Sequence, residues 1–479
     1  MFKQFTINNN KSIYCIALII TLFVISKIPF LALPFYWDEA WSYAVAIFDM
    51  HDHGISLIPG SVNTEFTRGH PLLYYVSASI WTKIFGTTIL SCHLFALLIS
   101  CLSLYAVYLL SKNLFNNKVA IATCSIFAVQ TWFWIQSTFL LPEVFLMLFS
   151  ILAINAYFTK KWFLFTLWTS CVVLTKETGW VLLIMFLFDY FVLTIFWDWK
   201  QITKKRYWLD ALFLLIPVFV LFTFLIIQKI RLGWFFFPSH IGMMHLHFSE
   251  IRENFLNILE VFLITQYRFL LLISIIVAIY FIIRKNIILN IKDKRFVLFI
   301  SIFIIAFIGF SCINFFTLRY LISILPLYLL ISTALFDKLP FSNKKWLIFV
   351  VAIILFGFIT IDKKNESDVT IGYKNTIKVH KQALIFCEKN NWYNESLNTG
   401  FLESYNAVIP RLGYLHDTLT FKNINMPNPS IYIFYSCEYA PQNIIDSLKN
   451  DTSMTMAKRF ENGNAWSEIY CKKRLLIDK

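Results

Sequence analysis

Long apolar runs, repeated along the chain and separated by short charged breaks, constrain this sequence more than any other feature. About eleven can be read, near 12–35, 90–113, 118–136, 141–158, 162–176, 179–197, 209–228, 260–283, 296–313, 320–337 and 345–361. Crossing the ~30 Å apolar core of a bilayer takes about 20 apolar helical residues, which is the scale of these runs. With 58% of its 479 residues hydrophobic and 15% charged, and a mean hydropathy of +0.64, the chain has more apolar surface than a soluble domain can bury. The expectation is an all-α polytopic membrane protein. Its first run is too long for the core of a signal peptide and lacks a small-residue cleavage site, so it reads as a retained anchor.

The basic residues fix an orientation. Alternate connections concentrate them: Lys3 and Lys11; Lys112 and Lys118; Lys160 and Lys161; Lys200, Lys204, Lys205 and Arg206. The series continues with Arg284, Lys285, Lys292, Lys294 and Arg295, then Lys338, Lys344 and Lys345. The longer intervening connections hold scattered cations such as Arg68, Lys83, Arg231 and Arg252. By the positive-inside rule the N-terminus is cytoplasmic, while the Asp38–Glu39 pair and everything after Asp362 lie outside. The formal charge of +14 is thus mainly a topology signal, and no nucleic-acid partner is implied. The Lys-, Asn- and Ile-rich composition leans bacterial, which points to the inner (plasma) membrane with a periplasmic tail.

Two regions are expected: a transmembrane region, 1–361, and a small exoplasmic α/β domain, 362–479. The first external loop, 36–89, contains two candidate interfacial helices. In Asp38–Met50, Trp41, Ala44, Val45 and Phe48 recur at helical spacing; in Pro71–Phe85, Pro71 suits the start and Gly86 the stop. A second external loop, 229–259, is rich in aromatic residues and Met. In the tail, IKVHKQALIFCEKNNW is helix-like, IYIFYSCEY and WSEIYCKK are strand-like, and ENGN signals a turn. Of nine cysteines, six lie in apolar runs; Cys387, Cys437 and Cys471 lie in the tail, where one disulfide has room to form. Neither the cysteines nor the histidines show metal-ligand spacing.

Acids and bases collect at the expected outer ends of the runs: Asp38 and Glu39 in LPFYWDEAWSY, Arg68 and His70 in FTRGHPLLYY, Glu143 in LLPEVFLML. Lys176 and Glu177 in VLTKETGW, and Arg319 and Tyr320 in FFTLRYLISILP, reach the same height. Each has an ordinary alternative. Asp38 suits a helix N-cap, Glu39 a first-turn complement to the helix dipole, Lys176 a snorkelling side chain and Arg319 an interface anchor. Together they suggest a charged cleft opening outward, because ionised groups near lipid are costly without a partner or a task.

In order along the chain, DEAWSY, GHPLLYY, PEVFLMLF, LTKE and RYLISILPLYLL resemble the integral-membrane GT-C glycosyltransferases that use polyprenyl-phosphate sugars. The branch is that of the protein O-mannosyltransferases and lipid A aminoarabinose transferases, and the resemblance covers about the first 340 residues. It implies that Asp38 is the catalytic carboxylate, with Glu39 supporting it and Glu143 positioning the acceptor or sugar. Lys176, Arg319, His70 and Arg68 would contact the donor phosphate, and Glu177, Tyr320 and Trp41 would line the cleft. Aminoarabinose transferases carry Lys where this chain has His70, which puts that phosphate contact in question, and they have more spans. The chemistry suits the inventory: a lipid phosphate leaves as a stable anion, so one base and several cations suffice. The expected activity is inverting transfer of one sugar to an exoplasmic acceptor (protein, glycolipid or polysaccharide), with membrane lipids as surroundings and no cofactor. The alternatives are a transporter or flippase, which would favour midplane charges and internal repeats, and a non-catalytic envelope assembly protein.

Overall fold

The apolar runs become helices whose lengths differ more than the sequence suggests. The computed structural model describes residues 9–477, apart from 246, 266–267, 288–289, 340–341, 360–362, 364, 417 and 439–441. Among the described residues, five helical segments are long and apolar enough to cross a bilayer: Asn10–Phe30, Ile89–Leu114, Glu177–Phe196, Lys205–Leu232 and Ile291–Ile313. Lys205–Leu232 keeps much of its apolar surface uncovered, with Phe219, Phe222, Ile226 and Ile230 all exposed, as a lipid-facing helix should. Shorter apolar helices complete the bundle: Asn117–Ala128, Pro142–Phe158, Trp162–Val173 and Leu325–Asp337, followed by Asn343–Ile359. Pro142–Phe158 is buried almost throughout, so it forms the interior of the bundle.

The run expected as one span over 260–283 is broken. Helices Phe248–Leu263 and Arg268–Arg284 meet at 87°. Arg268 explains how the break is tolerated: its buried guanidinium donates to the carbonyls of Phe262 (2.7 Å) and Val261 (2.6 Å). Those are orphan acceptors at the end of the preceding helix, which would otherwise be left unsatisfied in an apolar setting.

The first long loop folds back on the bundle. A wide helical turn, Glu39–Ala44, runs into helix Val45–His53; a short turn Thr64–Thr67 follows, then helix Leu73–Phe85, ended by Gly86 at φ 83°. The wide turn shifts the expected stripe: Ala44 and Phe48 are buried, but Trp41 and Val45 only partly so. The second helix starts two residues after Pro71.

After Ile359 the chain forms a five-stranded mixed sheet with helix Tyr373–Lys389 packed on it. The strands are β1 (Ser396–Thr399), β2 (Asn423–Ile424), β3 (Ile431–Tyr435), β4 (Met454–Asn462) and β5 (Ala465–Lys472), in the order β2-β1-β3-β5-β4. β1 pairs in parallel with β2 and β3, while β3–β5 and β5–β4 are antiparallel. The β4–β5 hairpin turns at Gly463 (φ 62°) in the ENGN stretch. β3 and β5 lie in the two stretches read as strand-like; β1, β2 and β4 were not anticipated. All three tail cysteines are free thiols.

This C-terminal part is joined to the stretch just before Asp38. The backbone N–H of Phe35 donates to the Leu412 carbonyl (3.2 Å), and Tyr414 OH donates back to the Phe35 carbonyl (2.9 Å). Tyr36 OH donates to the Glu366 carbonyl (2.6 Å), and Trp41 meets the Phe401 ring edge-on at 5.0 Å.

Candidate active site

Trp37 turns the chain with a left-handed φ of 53°, and Asp38 follows in helical conformation. An N-cap residue is normally extended, and Asp38 is not; its carboxylate makes no capping bond. It points across the fold instead. Oδ1 accepts from Trp41 Nε1 (2.9 Å), Oδ2 accepts from the Arg319 guanidinium, and Arg68 lies 3.8 Å away.

Arg319 is the hub. Its short helical turn, Leu318–Ser323, aims the side chain inward, where three nitrogens address three carboxylates: Nη2 Asp38, Nη1 Asp368 and Nε Glu143 (3.3 Å). Glu143 opens the buried helix Pro142–Phe158 and also accepts from Lys176 Nζ (2.8 Å), which sits 3.9 Å from the centre of the Tyr320 ring. Arg319, Lys176 and Glu143 are at most 2% exposed. Three cations (Arg68, Lys176, Arg319) thus face three carboxylates (Asp38, Glu143, Asp368), and the cluster is formally neutral.

The two outer carboxylates differ. Burial opposes ionisation of Asp38, but the Arg319 and Arg68 guanidinium groups outweigh it and hold its pKa below the usual value. For Asp368 burial prevails over Arg319, helped by the like charges of Asp38 and Glu143, and its pKa is raised. A cavity of about 490 Å³ opens beside the pair, lined by Tyr36, Trp37, Arg319, Glu366, Asp368 and Cys437 among others.

Arg68 (φ 51°) and Gly69 (φ 71°) are both left-handed, and a Cβ at Gly69 would stand 2.7 Å from the Trp234 ring. This double turn sets Arg68 over the Trp41 ring at 4.2 Å. His70 is occupied elsewhere: Nδ1 lies 2.6 Å from Glu177 Oε2, with the His240 ring 5.3 Å away. Burial, then the neighbouring His70, pushes the His240 pKa down to about 4. Glu39 also lies apart from the Arg319 network. It accepts from the backbone N–H groups of Tyr36 (3.1 Å) and Leu140 (2.6 Å) and faces His93 Nε2 (3.1 Å), tying the loop to the bundle.

Of the residues singled out in the sequence, the structure therefore joins Asp38, Trp41, Arg68, Glu143, Lys176, Arg319 and Tyr320 in one network. His70 and Glu177 form a second pair. Asp368 and Glu366 were missed; their only signal was being carboxylates just past the last apolar run, as Asp38 is just past the first. Tyr43, Tyr74 and Tyr75 were missed as well. Tyr43 stacks on Tyr75 (5.6 Å) and meets Tyr74 edge-on, and the hydroxyls of Tyr74 and Tyr75 and Glu143 Oε2 are buried without a partner among the described residues.

A family model described as dolichyl-phosphate-mannose-protein mannosyltransferase matches residues 69–226, which include His70, Glu143 and Lys176. The crystal structure of ArnT from Cupriavidus metallidurans bound to undecaprenyl phosphate superposes with a TM-score of 0.60 at 12% identity, covering 97% of this chain and 98% of that one. This chain has the GT-C glycosyltransferase fold. The apo ArnT structure matches similarly, with a TM-score of 0.59, 12% identity and coverage of 96% and 98%. No curated protein matches the sequence. The GT-C likeness thus runs well past the 340 residues that carry the sequence motifs and takes in the C-terminal sheet.

Proposed function

We propose that this protein is an inverting glycosyltransferase that moves a single sugar from a polyprenyl phosphate to an acceptor at the outer face of the inner membrane. In this reading residues 1–361 form the transmembrane catalytic region and 362–479 a periplasmic domain roofing the site. Support comes from the GT-C fold, from the similar ArnT structure bound to undecaprenyl phosphate, and above all from one arrangement: Asp38 and Arg319 paired beside an open cavity.

Neutrality of the cluster gives the mechanism its order. With three carboxylates on its three cations, the site holds no spare positive charge for a phosphate. A donor phosphate binds Arg319 and Lys176 by displacing carboxylates; as a phosphodiester it carries one negative charge and can meet the guanidinium fork bidentately, and it gains a second charge for these cations to hold as it leaves. Displacement frees Asp38. Paired, its lowered pKa makes it a weak base; released from Arg319, it regains basicity just as an acceptor arrives. Asp38 then takes the acceptor's proton while Arg319 and Lys176 stabilise the departing phosphate. Glu143, held between those two cations, positions them. Glu39 supports the loop, and Arg68, Trp41 and Tyr320 shape the cleft. His70 and Glu177 act as a neighbouring pair without phosphate contact.

The test is direct: purified protein with a synthetic polyprenyl-phosphate sugar and candidate acceptors. Production of free polyprenyl phosphate together with an inverted glycoside is expected. Donor that remains intact with every envelope acceptor tried would overturn the reading.

A further inference from the structure

The C-terminal part carries a second chemical grouping, which the transfer mechanism does not use. Cys437, just after β3, His380 on helix Tyr373–Lys389 and Glu403 on helix Phe401–Asn406 stand in line. Cys437 Sγ lies 3.3 Å from His380 Nε2, and His380 Nδ1 lies 2.6 Å from Glu403 Oε2. His380 and Glu403 are 0% exposed. Asn406 Nδ2 donates to Glu403 at 3.0 Å, and the Tyr435 ring covers the imidazole at 3.8 Å, so both groups are fixed in place. The sulfur is only half-buried, and it lines the cavity that Arg319 and Asp368 line from another side.

This arrangement is more than packing. Burial alone would discharge the His380 ring, but the Glu403 carboxylate and the Cys437 sulfur reverse that and lift its pKa to about 10. That favours the protonated ring, with Nδ1 placed to donate to Glu403 and Nε2 facing the sulfur. A buried imidazolium beside a sulfur that reaches open space is the environment of a reactive cysteine, whereas inert structural cysteines sit in apolar surroundings. The chain offers that contrast in Cys92 and Cys124, fully enclosed among helices. Among the described residues no group of three or more His, Cys, Asp and Glu side chains is arranged to hold a metal ion.

We propose that Cys437 is a nucleophilic thiol, activated by His380 and oriented through Glu403, and that it is a site of reversible modification by small disulfides which closes the cavity. The sulfur of Cys437 attacks one sulfur of the disulfide; a new S–S bond forms and the old one breaks. The proton shared between the sulfur and His380 passes to the leaving thiolate, which departs as a free thiol. Cys437 is oxidised and half of the small disulfide reduced, so no further oxidant is needed. The adduct projects into the space before Arg319 and Asp368 and obstructs it. Only this blockade rests on the sugar-transfer reading.

The experiment uses the full chain in detergent with 4,4′-dithiodipyridine, following thiopyridone release and mapping the modified cysteine by mass. Cys437 should react first, at least tenfold faster than free glutathione at the same pH, and Cys437→Ser should abolish the fast phase. His380→Gln and the isosteric Glu403→Gln, each matched to wild type in thermal stability, should slow it at least tenfold. Should either variant fail to fold, the comparison with glutathione still decides. A wild-type rate at or below that of glutathione overturns the proposal, as does a folded His380→Gln variant labelled as fast as wild type. Sugar transfer should fall with labelling and return on adding dithiothreitol; fast labelling with undiminished transfer refutes the blockade. Protein that shows no transfer before labelling counts against the transferase reading and leaves the thiol result standing.

Discussion

Asp38→Asn separates structure from chemistry at the proposed base. Asn keeps the size of the side chain and an oxygen for Trp41 Nε1, so the contact at 2.9 Å survives. What is lost is one charge-assisted hydrogen bond to Arg319, worth ~1.5–3 kcal/mol when buried. The loss is cushioned, because Arg319 retains Asp368 and Glu143. Fold stability should therefore drop by about 2 kcal/mol at most. No capping term enters, since the Asp38 side chain caps nothing; Asp38→Ala should cost about 1 kcal/mol more than Asp38→Asn, for the Trp41 hydrogen bond that Asn keeps and Ala loses. Turnover is another matter. Loss of a positioned general base costs ~10²- to 10⁴-fold, equivalent to about 2.7–5.4 kcal/mol of barrier. Donor binding should hold or tighten, because a competitor for Arg319 has lost its charge. The assay is single-turnover sugar transfer from a synthetic polyprenyl-phosphate donor, with donor affinity measured separately on variants of matched thermal stability. Turnover within threefold of wild type would refute the assignment of Asp38 as base and leave the fold assignment untouched.

Lys176→Ala and Arg319→Ala should each weaken donor binding by ~1.5–3 kcal/mol, and Arg319→Lys should recover only part, since an ammonium lacks the planar fork that meets a phosphate bidentately; unchanged donor affinity in both alanine variants would return these residues to a structural role. Asp368→Asn removes a competitor and should tighten donor binding by about tenfold, the low end for a charge-assisted hydrogen bond. Its pH signature follows from its raised pKa: wild type should lose stability relative to Asp368→Asn as pH rises above ~4, levelling off above the folded pKa, and a thermal-shift series that moves the other way would reverse the assignment. In a Cys437→Ser background, cysteines introduced at Ser56, Ser249 and Asn398 should label from outside the inner membrane, while those at Asn117, Thr203 and Ser342 stay protected; labelling at Ser342 would invert the proposed topology.

That these charges belong together was legible in the sequence; their pairing was not. Apolar runs and basic loops put Asp38, Glu143, Lys176 and Arg319 at one level, and the structure gathers them. Which acid meets which base depends on how helices far apart in sequence pack, and no local pattern encodes that. Glu39 shows the limit: adjacent to Asp38, it faces the opposite way because the wide turn at Glu39–Ala44 swings it toward the Leu140 and Tyr36 amides. Asp368 escaped notice because it sits in a short polar stretch without periodicity, where a carboxylate looks solvated. The bend at Arg268 was hidden by unbroken hydrophobicity on both sides of it.

The hydrogen bonds between Phe35 and the Leu412–Tyr414 stretch bear on how the protein comes to life during synthesis. Chains emerge N-terminus first, and early helices can enter the membrane long before residues 368–414 exist. Yet the backbone next to Asp38 is held by residues more than 370 positions later, and one of the carboxylates on Arg319 comes from position 368. A nascent chain with every apolar helix in place therefore has a loose, uncapped centre. In the proposed reading, chemistry therefore waits for residues 368–414 to dock on this loop, and a chain cut before them would leave an incomplete site in the membrane.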